Sequence, residues 1–146
     1  MIEYKVQVSE KRTEWYFNDK LHREDGPALE HINGYKAWYI DGKRHRVDGP
    51  AVEYANGDKL WYFNGKRHRV DGPAVEWANG YREWFLNDKR HREDGPAIEY
   101  ADGDKAWCLN GVQLTEAEFL EKTQPSKEYT VSDLEKLLGH SIKIVK

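Results

Sequence analysis

Along Ala51-Val52-Glu53-Tyr54 apolar and polar positions alternate, placing Val52 and Tyr54 on one side of an extended chain and Glu53 on the other. The next run, Asp58-Lys59-Leu60-Trp61-Tyr62-Phe63, is rich in aromatic and strand-forming residues and predicts a second strand. This pattern returns every 23 residues. Trp15, Trp38, Trp61, Trp84 and Trp107 mark one phase, His22, His45, His68 and His91 a second, and Pro27, Pro50, Pro73 and Pro96 a third. Four full units follow, 15–37, 38–60, 61–83 and 84–106, and a fifth begins at Trp107 before Val112-Gln113-Leu114-Thr115 replaces the expected basic loop.

Each unit carries two turn signals. Asn18-Asp19, Asp41-Gly42, Asn64-Gly65, Asn87-Asp88 and Asn110-Gly111 form one set; Asn33-Gly34, Asn56-Gly57, Asn79-Gly80 and Asp102-Gly103 form the other. Both are read as two-residue hairpin turns, because these pairs tolerate φ > 0. Gly-Pro interrupts the return segment, since proline cannot donate to a ladder. The prediction is an all-β fold: an elongated single-layer antiparallel meander of repeated hairpins, about ten strands long, with a short C-terminal α+β cap. Residues 15–112 form the array. Segment 1–14 supplies an N-terminal capping strand, placed at Ile2-Glu3-Tyr4 by its match to Val52-Glu53-Tyr54.

After the array the period changes. Thr115-Glu116-Ala117-Glu118 has the form of a capping box, so 113–123 is expected to be a helix that covers the open end of the sheet. Segment 124–146 starts with a linker through Lys127. It continues with a helical stripe of Val131, Leu134, Leu137 and Leu138 closed by Gly139, and then a final strand suggested by Ile142 and Ile144. A tail this short cannot bury a core by itself, so it is expected to pack on the repeats or to make an oligomer contact.

Composition sharpens the picture in two respects. Only 38% of the 146 residues are hydrophobic while 13% are aromatic, which suits a thin sheet with an aromatic layer better than a thick aliphatic core. Cys108 is the single cysteine, at the position of Tyr16, Tyr39 and Tyr62; it excludes an intramolecular disulfide framework and points to a reducing cytoplasm with a structural thiol. No apolar run is long enough to cross a bilayer, and the N-terminus lacks a signal-peptide pattern.

The candidate chemistry lies in the repeated His-Arg-x-Asp-Gly-Pro string. A histidine oriented by an aspartate suits general-base catalysis, but four equal copies do not make one asymmetric active site, and no serine or cysteine nucleophile recurs beside them. Zinc is disfavoured too, since equivalent positions two strands apart are separated by about 10 Å. No catalytic residue, metal or cofactor is therefore expected. The structural reading has Asp25, Asp48, Asp71 and Asp94 cap the loop and pair with an arginine, while the four histidines satisfy backbone groups under the tryptophan layer. Nucleic acid is an unsuitable partner: residues 15–106 hold 15 Lys and Arg against 17 Asp and Glu. A local basic edge of Arg46, Arg69 and Arg92, together with Arg23, could still hold a small anionic, nucleotide-like ligand or an acidic patch of a protein.

The string Trp-Tyr-x-Asn-Gly-Lys-x-His, with its Gly-x-x-His core at Gly42 to His45 and Gly65 to His68, resembles the MORN repeat over roughly residues 14–112. It resembles most the variant of bacterial antitoxin-like and phage-encoded repeat proteins. Arg46 and Asp48 follow His45 where the usual pattern has His-Gly-x-Gly, so the phospholipid contacts of some members are not implied. The tail from Tyr129 to Gly139 is similar to a short C-terminal module of small phage proteins. The resemblance implies a phage or prophage protein that binds and neutralises a host defence or toxin protein in the host cytoplasm, without enzymatic activity. Positions that differ between units point to where a partner would be read. Trp77 stands where other units have His31, Tyr54 and Tyr100, and the expected hot spot combines Trp77 with Arg67 and Arg69.

Overall fold

The computed structural model describes residues 3–124 and 128–143. Among them the fold is an antiparallel meander of short strands followed by two helices, α1 (Glu116–Thr123) and α2 (Val131–Leu138). A twelve-stranded sheet takes its strands in chain order, with Lys20–Leu21 pairing off the main path. Three further two-stranded hairpins stand beside it, Tyr39–Ile40 with Lys43–Arg44 and their equivalents one and two units on. The strand count exceeds the ten expected because the long strands break at Trp38, Trp61 and Trp84, whereas Trp15 and Trp107 stay inside unbroken strands. The Trp38 N–H donates to the Ala51 carbonyl at 2.8 Å on the sheet side, while its carbonyl accepts from the His45 N–H at 3.1 Å on the hairpin side. One extended segment thus serves two ladders, and every main-chain polar group there finds a partner.

Main-chain bonds also stitch successive units along the hairpins. Gly65 N–H donates to the Arg44 carbonyl at 2.8 Å, and Arg46 N–H donates to the Tyr62 carbonyl at 3.2 Å. The sheet register sets Val52 against both Ala37 and Leu60, and Val75 against Leu60 and Glu83. Partners in a ladder point the same way, so Ala37, Val52, Leu60 and Val75 share one largely apolar face, on which the buried Glu83 carboxylate is paired with Arg90 at 2.7 Å. Ala37, Val52, Leu60, Ala74, Val75 and Phe85 are buried together, with Tyr35, Tyr39, Tyr62, Trp77 and Tyr81 packed over them. Aromatic rings from neighbouring hairpins do the covering that a second layer does in a sandwich.

The two turn sets differ, contrary to the common reading of both as two-residue loops. Asp41 and Gly42 have φ of 49° and 76°, and Asn64 and Gly65 have 49° and 79°, the doubly positive geometry of a type I′ turn. In the second set only glycine is positive, at 96° for Gly57. There the Gly57 N–H donates to the Tyr54 carbonyl and Tyr54 N–H to the Asp58 carbonyl, which is a turn closed by a bulge. The extra residue, Ala55 in this unit, is what forbids the tighter loop.

The ends also depart from expectation. The N-terminal strand is Lys5–Val8, paired with Arg12–Phe17 so that Val6 faces Trp15 and Gln7 faces Glu14. Ile2 lies outside the described residues, and Tyr4 instead accepts a hydrogen bond from the Glu24 N–H. At the other end Thr115 and Glu118 form the capping box, and α1 buries Phe119 against strands Lys105–Leu109 and Val112–Leu114. Helix α2 starts with a second capping box, Thr130 with Asp133, and ends on Gly139 at φ 70°, yet it has no buried residue. Ile142 is not in a strand; its N–H is held by Glu135, seven residues back. Ile144 and residues 125–127 of the linker lie outside the described residues. No helix among those described is long and apolar enough to cross a membrane.

Candidate binding site: the loop row and its grooves

Each His-Arg-x-Asp-Gly-Pro string folds around its arginine. The Arg46 guanidinium carbon lies 4.0 Å from the Trp38 ring centroid. Its Nε donates to Asp48 at 2.9 Å, and Nη1 donates to the Pro50 carbonyl at 3.2 Å and to Glu53 at 3.1 Å. Arg69 repeats the arrangement with Trp61, Asp71, Pro73 and Glu76, and Arg92 with Trp84, Asp94, Pro96 and Glu99. In the first unit Arg23 sits over Trp15 at 4.2 Å and holds Asp25. A planar, always charged fork suits this site because it can stack and donate in its own plane together. The guanidinium keeps the carboxyls of Asp48, Asp71 and Asp94 below the usual carboxylate range.

The glycine of the string makes room for this clamp. A Cβ on Gly49 would come within 3.0 Å of the Arg46 guanidinium carbon, and one on Gly72 within 2.9 Å of that of Arg69. The histidines join units. His22, His45, His68 and His91 accept at Nδ1 from the N–H of Asp41, Asn64, Asn87 and Asn110, the first residue of the next hairpin turn, at 3.0–3.2 Å. Trp107, whose unit lacks the loop, pairs across the ladder with Leu114. Cys108 is buried, and burial pushes its thiol up from the ordinary range.

Clamping changes what the loops present. The arginine side chains are only 21–23% exposed, whereas Asp25, Asp48, Asp71 and Asp94 are 76–85% exposed. The basic edge expected from Arg46, Arg69 and Arg92 is thus turned inward, and carboxylates line the rim. The residues of the expected hot spot take different partners. Arg69 bonds Glu76, while Arg67 lies 4.0 Å over the ring of Phe85, which packs with Val75 and Trp77. Adjacent strand residues Val75 and Glu76 point to opposite faces. Arg67 and Trp77 thus gather around Phe85, whereas Arg69 is clamped over Trp61 and bonded to Glu76. Arg67 is further engaged by Asp88 at 3.0 Å.

What the sequence reading passed over is the space between successive loops. Three equivalent grooves of about 670, 700 and 680 Å³ run between units one and two, two and three, and three and four. The middle one is bounded by Val47, Pro50, Phe63, Val70, Trp61 and His68. Val47 and Val70 are 82% and 84% exposed, and Phe63 is exposed as well. The signal was present as a contrast: the same loop position is Glu24, Val47, Val70 and Glu93 along the array. Among the described residues no three His, Cys, Asp or Glu side chains converge as a metal site. Neither a family model, nor a curated protein, nor a solved structure matches the chain.

Proposed function

We propose that the protein is a non-enzymatic binding module of MORN-variant type whose loop row engages a partner protein. The observation that carries this reading is the threefold repetition of one groove, each walled by a stacked Trp–Arg pair and open to solvent. Repeated shallow grooves on a stitched frame offer contact area at small ordering cost, because the walls are already fixed. The clamped guanidinium groups have their Nε and Nη1 donors committed to the fold and wall the grooves. The likeness of array and tail to phage-encoded repeat proteins adds the nature of the target, a host defence or toxin protein neutralised by occupation of its surface.

The test is retention from a bacterial lysate on immobilised protein, with proteins and small molecules both quantified by mass spectrometry. One protein retained by the native chain and lost with Phe63→Ala/Leu86→Ala, Leu86 being the equivalent of Phe63 in the third groove, supports the reading. Retention of a small molecule alone, or of a protein equally on both chains, refutes it.

A further inference from the structure

The three grooves share their frame but not their rims. Glu24 borders the first beside Val47, Val47 and Val70 border the second, and Val70 borders the third beside Glu93. The order along the row is acid, apolar, apolar, acid. Folding accounts for the glutamates in part: His91 Nε2 lies 3.4 Å from Glu93, and His22 Nε2 lies 3.9 Å from Glu24. It does not account for the valines. His45 and His68 pack on Phe63 instead, with centroids 4.5 and 6.1 Å apart, and Val47 and Val70 still project into solvent. Two exposed branched side chains around an exposed phenylalanine form a small apolar patch open to solvent.

Charge fixes the complement. Glu24, Asp25, Glu93 and Asp94 are exposed at the outer grooves, where each groove is lined by three carboxylates and by two arginines that are only 21–23% exposed and already paired with carboxylates. No lysine lines any of the three grooves. Successive loops are two strands apart, about 10 Å, so the row from Glu24 to Glu93 spans about 30 Å. That length fits a segment of polypeptide and exceeds any single side chain.

Resting on the reading of the loop row as a protein-binding surface, we infer that its occupant is a cationic segment of the partner protein. Apolar side chains of that segment seat in the central groove between Val47 and Val70, and lysine or arginine residues on either side meet the carboxylates at Glu24–Asp25 and Glu93–Asp94. The central patch supplies desolvation, and the outer acids set orientation and rate of encounter.

The experiment is selection of a displayed library of random 20-residue peptides on the native protein, followed by affinity measurement of the enriched peptides. Val47→Glu/Val70→Glu is the informative variant, because glutamate already occupies this position in the first and fourth units and so is compatible with the loop; a retained melting temperature checks this. Enriched peptides should be cationic with apolar residues at their centre. They should lose at least tenfold in affinity on Val47→Glu/Val70→Glu, and their salt dependence should shrink on Glu24→Gln/Glu93→Gln. Enrichment of anionic peptides, or affinities indifferent to these exchanges but lost on Phe63→Ala, overturns this inference alone. If no peptide is enriched, or Phe63→Ala has no effect, the loop row is not the binding surface and both readings fall.

Discussion

The guanidinium of Arg69 rests 4.0 Å above Trp61 only because residue 72 has no side chain: a Cβ there would lie 2.9 Å from the Arg69 guanidinium carbon. Gly72 is not required by a left-handed backbone but by this close approach. Gly72→Ala should therefore destabilise the protein by about 1–2 kcal/mol through displacement of the clamp. The same substitution in an Arg69→Ala background should cost close to nothing. A double-mutant cycle by urea unfolding checks the coupling, and additive effects would show that the glycine acts elsewhere.

Charge alone does not hold the clamp. Arg69→Lys keeps the cation but loses the stacked plane and the fork that reaches Asp71, Pro73 and Glu76. A loss of about 1–3 kcal/mol is expected, with a change in tryptophan fluorescence as Trp61 is uncovered. Asp71→Ala, at an exposed partner, should cost less than Arg69→Lys in the same unfolding series.

Acid should weaken the array through its loop aspartates. Their pKa values are lower in the folded protein than in the unfolded chain, so their contribution is complete above about pH 5, beyond the unfolded value near 3.9. It is lost as pH falls through the folded values. Melting curves from pH 7 to 2 on Asp48→Asn/Asp71→Asn/Asp94→Asn should lie below native at neutral pH and converge on it in acid. A constant offset across the range would contradict this linkage.

Coupling between units can be read at one amide. The Asn87 N–H donates to His68 of the preceding unit at 3.1 Å. His68→Leu should speed hydrogen exchange at Asn87 by roughly tenfold, the equivalent of about 1.4 kcal/mol, while the Asn64 amide, held by His45, stays protected. Equal loss at both amides would mean that the units do not open separately.

Period and turn chemistry made the meander legible before any coordinates, because Asn-Gly and Asp-Gly pairs and a fixed beat of tryptophan are local signals. The break of the strands at Trp38, Trp61 and Trp84 was not legible, since Trp38 is bonded through its backbone to Ala51 and His45, which the side-chain pattern does not report. The bulged turns were missed for a related reason: Ala55 looks like the end of a strand and is in fact inside the loop. At the candidate site, the pairing of arginine with the nearby aspartate could be guessed from their spacing of two. The glutamate seven residues on, and the burial that turns the basic string into an acidic rim, depend on how the loop folds back on the sheet. The contrast of Glu24 and Glu93 with Val47 and Val70 was legible, but its meaning required the grooves.

His22, His45, His68 and His91 each receive a hydrogen bond from the unit that follows, and the donor and acceptor occupy the same places at every junction. A junction therefore carries no record of how many precede it. A gene that gains or loses 69 nucleotides in frame, one 23-residue unit, yields a chain whose every seam is already chemically complete. Repeat number becomes an inherited trait that unequal recombination between near-identical stretches can change in a single event, lengthening or shortening the row of grooves while the closing strands and α1 stay as they were.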